Sequence, residues 1–393
     1  MAAVQRGTGA GGAASAASRL RLADAAVDRL LLPQTGNRSP QMFDHNKLEA
    51  LRQKYRDARE TEVAPERFRA PLNHILGAAY RRPMPYAGIP TLLDEPYRPE
   101  AAELPDFAGL DVALIGVPMD LGVTNRPGAR FGPRALRTIE RIGPYNHALE
   151  TMPRARCRVA DIGDVPMRSR YSLDQSIEDI AAFYQRVYRA GVRPVSVGGD
   201  HSVSFPILAA LGAERPLGLV HIDAHCDTMG AIDGTKFHHG GPFRQAVLAG
   251  ALDPERTIQI GIRGAAEIFW GFSYDSGMTV LHIEDVDRLG IAAVIERARA
   301  VVGDGPTYIS FDVDGLDPAY APGTGTPEAG GLTPREAQAI LHGLKGLDIV
   351  GGDVVEVAPQ YDPGTLTAMV GAQMLFEIFT LVTLGPHFPR RAA

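Results

Sequence analysis

Short apolar runs alternate with amphipathic stretches over most of this chain, and that alternation sets the architecture it predicts. Residues 112–116, 195–197, 217–222, 257–262, 280–282, 307–311 and 349–356 are short and apolar, as buried parallel strands are. Between them, 173–190, 291–302 and 334–343 repeat apolar side chains at helical spacing. Strands and helices interleaved on this scale predict an α/β fold: three layers, αβα, around a mostly parallel central sheet. Ligands of such sheets bind beyond the carboxyl ends of the strands.

The first forty or so residues are rich in Ala, Gly and Ser, and 1–45 reads as a disordered leader. Scattered Arg gives it some likeness to a transit peptide, which Asp24 and Asp28 weaken. A segment over 46–105 follows. Asn46 and Glu49 form a capping-box pattern, and Leu48, Leu51, Tyr55 and Ala58 carry a helix to about Glu60. A second helix is expected after Pro65, then a Pro-rich connection over 82–99. Residues 106–385 form the expected main domain.

Composition narrows the class. The 393 residues are 45% hydrophobic and 22% charged, enough for a large core. A net charge of -6 without a long basic run argues against nucleic acid as a partner. No uninterrupted apolar stretch approaches the ~18 residues of a membrane span. Two cysteines, Cys157 and Cys226, suit a reducing, cytoplasmic compartment rather than a disulfide scaffold.

Three expected strand ends carry metal-type side chains. One leads into Gly198-Gly199-Asp200-His201, the central one into Asp223, His225 and Asp227, and a third into Asp312 and Asp314. Alternate residues of an extended chain share a face, so each set can converge on one point. Carboxylates gathered at the end of a core strand are costly to bury without positive charge among them. Two divalent cations would neutralise Asp223, Asp227, Asp312 and Asp314 and could share a hydroxide near neutral pH. Mixed Asp/His ligation suits manganese, nickel, iron or zinc better than calcium. The alternative for any single acid is a turn former after a strand.

The segments GGDHS, DAHCD and SFDVDGLDPAYAPGTGTPEAGGLT resemble the three signatures of the ureohydrolase family, which includes arginases, agmatinases and guanidino-acid hydrolases. The likeness runs from about Asp106 to Leu384 and implies an arginase-like fold with a binuclear site, commonly manganese, that hydrolyses a guanidinium group to urea and an amine. It implies that Asp223 and Asp312 bridge the metals, with His201 and Asp227 completing one and His225 and Asp314 the other. It further implies that Glu356, in DVVEVAP, pairs with the substrate guanidinium, and that His239, in HHGGPF, passes a proton to the leaving amine. Asp314 or a neighbouring ligand is expected to take the proton in the tetrahedral intermediate. The segment 122–137 resembles the family's N-terminal signature loop, with Asn125 or Arg126 at the pocket rim and Arg130 and Arg134 structural or solvated. His238 has no expected role, His221 is expected on the opposite face of its strand, and Cys226 is expected to point away from the metals. Trimers or hexamers are the implied assembly.

The substrate is less constrained. Met229 stands where arginases place an asparagine that holds the substrate α-carboxylate, which disfavours arginine. Asp94 and a 226–238 loop with only Lys236 as a cation offer no obvious carboxylate clamp. That loop and EIFWGFSYDSGMTV are similar to guanidine hydrolases, a nickel-using branch, so free guanidine is the first expectation. Agmatine and short guanidino acids such as 3-guanidinopropionate or guanidinobutyrate follow. A non-catalytic subunit of a hetero-oligomer would show lost ligands, and amide or formimino hydrolysis is a further reading on the same scaffold.

Overall fold

The computed structural model describes residues 44–76, 87–140 and 142–389, so the expected leader lies outside the described residues except for Asp44 and His45. The first part of the 82–99 connection lies outside them as well. Two compact units divide at Pro65, within the segment read as an N-terminal extension. In the first unit a helix spans His45–Tyr55, and Asp44, not Asn46, caps it: one carboxylate oxygen accepts from the Asn46 and Lys47 amides, each at 3.0 Å. The helix stops at Tyr55 and a separate turn covers Glu60–Val63.

The second unit opens with the expected helix after Pro65, Glu66–Leu76, and is built on one sheet. Its strands are β1 (Val112–Val117), β2 (Val159–Asp164), β3 (Arg193–Gly198), β4 (Leu217–Ile222), β5 (Leu252–Ile262), β6 (Thr279–His282), β7 (Thr307–Asp312) and β8 (Ile349–Val355). The spatial order is β2-β1-β3-β8-β7-β4-β5-β6, and every pairing is parallel. Side chains alternate between two cores. Leu114, Val195, Ile222 and Phe311 face one, with helices Ile291–Val302, Pro334–Gly343 and Leu366–Leu384 covering it. Ile115, Leu219, Tyr308 and Val355 face the other, beneath helices Leu173–Arg189, Ser204–Leu211 and Pro242–Leu248. This is the expected three-layer αβα arrangement, and both faces of the sheet are dry.

Two elements depart from the sequence pattern. Strand β2 carries Asp161 and Asp164 within six residues, which hides it from a search for apolar runs. Asp161 is fully buried because Arg137 meets it with two nitrogens, at 2.8 and 3.0 Å, while the Leu92 amide donates to it at 2.9 Å. Helix Leu366–Leu384, in contrast, is long and apolar enough to cross a membrane by length and composition, despite Gln373 and Glu377. It lies instead against the sheet, nearly all of it buried.

The strand order decides where chemistry can sit. Connections leave β3 for one side and return through β7 and β8, so β3, β8, β7 and β4 are neighbours at the centre of the sheet. Their carboxyl ends line the crevice where the topology reverses.

Asp161→Asn removes the charge that answers a buried guanidinium, and the protein should lose about 3 kcal/mol of stability. A urea denaturation midpoint matching the wild type would show that the pair contributes nothing to the edge of the sheet.

Candidate metal centre

His201 begins the turn after β3 and is completely buried. Its Nδ1 lies 2.9 Å from Asp227 Oδ2, 3.1 Å from Asp223 Oδ2 and 3.2 Å from Asp312 Oδ2. His225 Nδ1 lies 3.2 Å from Asp314 Oδ2 and 3.5 Å from Asp223 Oδ1. The six residues singled out from sequence thus come together, in two groups that share Asp223. The turns that present them are tight. Asp223 Oδ1 accepts from the His225 amide and Asp312 Oδ1 from the Asp314 amide, and Asp227 adopts a left-handed backbone with φ 52°.

The polar chemistry behind His201 fits a cation in front of it. Ser310 Oγ donates to Asp353 Oδ1 at 2.6 Å, so it must accept from His201 Nε2, 2.8 Å away. His201 Nδ1 then faces three carboxylate oxygens, buried and without a hydrogen-bond partner of its own. Burial opposes a charged imidazole there, yet Asp223, Asp227 and Asp312 hold its pKa well above the usual histidine range. The same field favours a metal ion. Like charges crowd on the other side of the balance: burial, then Asp314 and Asp223, push the Asp312 carboxyl well up, and burial with Asp223 raises Asp314 to about 6. Asp223 goes the other way. Burial alone would raise it, but His221, His201 and His225 hold it well below the ordinary carboxylate value.

His221 corrects the sequence expectation. It shares a face with Asp223, as residues two apart on a strand must, and its Nε2 donates to Asp223 Oδ2 at 2.6 Å. Gln259 on β5 donates to His221 Nδ1 at 3.1 Å, which leaves the proton on Nε2.

Above the cluster lies a cavity of about 270 Å³. Asp227, Asp312, Asp314 and His225 form its floor, while Met229, Phe269 and Trp270 are its large apolar side chains. His239 lines it and is held at both nitrogens: Nδ1 donates to Glu356 Oε1 at 2.9 Å, and Thr124 Oγ1 lies 2.7 Å from Nε2. Burial lowers the imidazole pKa, but Glu356 outweighs that and raises it to about 9. Glu356 follows β8 with φ 63°. Its Oε1 also accepts from the His201 amide at 2.9 Å, and Oε2 is buried without a partner.

Other expectations fare differently. Asn125 is exposed and does not line the cavity; its neighbour Thr124 does. Arg126 is turned away to the carbonyls of Thr324 and Gly325, its guanidinium 4.4 Å from the Tyr361 ring. Arg130 pairs with buried Asp120 and Arg134 is exposed. His238 donates from Nε2 to Gly230 O at 2.8 Å and lies outside the cavity wall. Cys226 is buried at the wall, and burial pushes its thiol up to about 12. Asp94 does not line the cavity. Thr124 lies in the 122–137 loop and Trp270 in the EIFWGFSYDSGMTV stretch, but neither stands out there as a site residue; their place around His239 and the acids marks them.

The arginase family model matches residues 110–380. A guanidinopropionase of Pseudomonas aeruginosa is 50% identical over 301 residues, 76% of this chain and 92% of that protein. A mitochondrial agmatinase of Gallus gallus is 47% identical over 278 residues, 70% of this chain and 82% of that protein. Among solved structures, proclavaminate amidino hydrolase from Streptomyces clavuligerus superposes with a TM-score of 0.71 at 34% identity, covering 77% of this chain and 99% of that one. With a matching family model over most of its length and His/Asp clusters at the centre of its sheet, the chain belongs to the arginase family, as a metal-dependent hydrolase of guanidino groups.

Proposed function

We propose that this protein hydrolyses a short linear guanidino acid such as 3-guanidinopropionate, releasing urea and the amino acid. The observation that carries the hydrolase reading is the gathering of His201, Asp223, His225, Asp227, Asp312 and Asp314 beneath a cavity that His239 also lines. The substrate choice rests on the 50% identity to the P. aeruginosa guanidinopropionase. Agmatine is the second reading, because no Lys or Arg lines the cavity among the described residues, so no fixed cation awaits a carboxylate. Free guanidine, the first expectation from sequence, falls behind both. The relatives are named for guanidinoalkyl substrates, and a four-heavy-atom cation would leave most of the 270 Å³ unfilled.

In this reading His201 and Asp227 would hold one divalent cation and His225 and Asp314 the other, with Asp223 and Asp312 contributing to the pair. Bound there, two cations lower the pKa of water to about 7 and supply a nucleophile at neutral pH. Manganese is the first choice and nickel the second, since the same ligands accept either. The protein does the rest. Glu356 does not itself line the cavity but is bonded to His239, which does. Its unpartnered Oε2 is the oxygen left for the guanidinium, whose N–H groups want a facing carboxylate. Asp314, which lines the cavity, receives the proton that the attacking water gives up. His239, whose pKa Glu356 raises, passes a proton through Nε2 to the departing amine. That nitrogen here accepts from the Thr124 amide at 3.2 Å and must give up that bond to donate. Met229 borders the substrate chain, a half-buried apolar wall where arginine would need a polar one. A reducing compartment, mitochondria included, suits both the chicken relative's name and the two free cysteines; a homotrimer or homohexamer is the assembly that the family resemblance implies.

Urea release from guanidine, agmatine, 3-guanidinopropionate, 4-guanidinobutyrate and arginine, with manganese and nickel loaded separately, tests the assignment. The short guanidino acid should turn over fastest; urea from guanidine alone would overturn the substrate choice. Glu356→Gln should keep its metal content while KM rises about tenfold or more, the loss of one charged hydrogen bond. His239→Asn should lower kcat about 100-fold with metal retained. In the wild type kcat should fall as pH rises through about 9, where His239 loses the proton it must donate. An alkaline limb that survives in His239→Asn belongs to another group.

A further inference from the structure

Behind the acid cluster stands a buried cation with no part in the roles assigned so far. Arg263 follows β5 and is 5% exposed. Its guanidinium donates to backbone carbonyls and to no carboxylate. Nη2 reaches Asp314 O and Glu328 O, each at 2.7 Å, and Leu316 O at 3.2 Å. Nη1 reaches Gly261 O at 3.0 Å and Gly315 O at 3.3 Å, and Nε reaches Glu328 O and Ala329 O, each at 3.2 Å. The Arg263 amide adds a bond to Ala224 O at 2.8 Å. One residue therefore ties together the turn after β7, the turn after β4 and the loop that carries Glu328.

Two of the tied residues meet on one imidazole. Asp314 Oδ2 lies 3.2 Å from His225 Nδ1, and Glu328 Oε1 lies 3.8 Å from His225 Nε2. A histidine that ligates through one nitrogen is commonly oriented by a carboxylate at the other. None of the carbonyls that Arg263 holds belongs to His201 or Asp227. The chain also leaves room for the guanidinium: a Cβ on Gly331 would land on Arg263 Nη2 and on the Asp317 amide. Lysine could not stand in, because its three donors radiate from one point while arginine spreads five in a planar fork.

We propose that Arg263 is a positioning residue for one half of the metal pair: it clamps Asp314 and Glu328 about His225, so the cation held by His225 and Asp314 depends on it, whereas the cation held by His201 and Asp227 does not. The proposal rests on the two-cation reading above. Its test is manganese binding to the metal-stripped, full-length protein by calorimetry, together with metal content after dialysis, in Arg263→Lys and Gly331→Ala. Thermal melts and circular dichroism report the fold. Wild type should bind two cations per chain. Each variant should keep one at wild-type affinity and bind the other about 10- to 100-fold more weakly, the range for losing a residue that orients a ligand. Equal weakening of both cations, unchanged binding of both, or loss of fold in both variants would make Arg263 a general brace and overturn the proposal. Wild-type protein that binds no cation would overturn the metal reading itself, a result distinct from failure of the clamp.

Discussion

Four carboxylates and two imidazoles packed within a few ångströms at the centre of a dry sheet are the constraint around which this protein is built. Asp223, Asp312 and Asp314 are almost fully buried and lie against His201 or His225. Such a group repels itself, as the raised Asp312 and Asp314 carboxyls register. It can persist only if the chain holds the side chains in place and something positive enters among them.

The supporting parts are all behind the cluster. Asp353, fully buried, gathers hydroxyls from Ser204, Tyr308 and Ser310, and Ser310 in turn fixes the His201 ring. His221 and Gln259 form a second line behind Asp223. Arg263 closes the third side with carbonyl contacts alone. Among the six ligands, His201 Nδ1 is left buried without a protein hydrogen-bond partner. Left-handed backbone at Asp227 and Glu356, costly for residues with a Cβ, is retained at the same place.

Much of this was legible in the chain. Period-two spacing in DAHCD and SFDVD placed Asp223, His225, Asp227, Asp312 and Asp314 on shared faces, and apolar runs marked seven of the eight strands, with β2 the exception. The spacing failed only where it was applied loosely: His221 obeys the same period and belongs with Asp223. Strand β2 escaped because a buried ion pair, Asp161 with Arg137, takes the place of apolar side chains, and its partner lies 24 residues away. The Asn46 cap gave way to Asp44, since helix boundaries follow whichever side chain reaches the free amides first.

What the sequence alone determined is local: which residues alternate, which turns end strands in acids, and which motifs resemble a family of guanidino hydrolases. The tertiary structure decided which strand ends become neighbours. β8 inserts between β3 and β7, bringing Glu356 to His201 and His239 across 155 and 117 residues. It turned Asn125 outward and Thr124 inward, and put Arg263 behind Asp314 through carbonyl contacts that no side-chain pattern encodes. Periodicity follows from the geometry of one strand, whereas convergence depends on the order in which strands pair, and that order is set by the packing of the whole sheet.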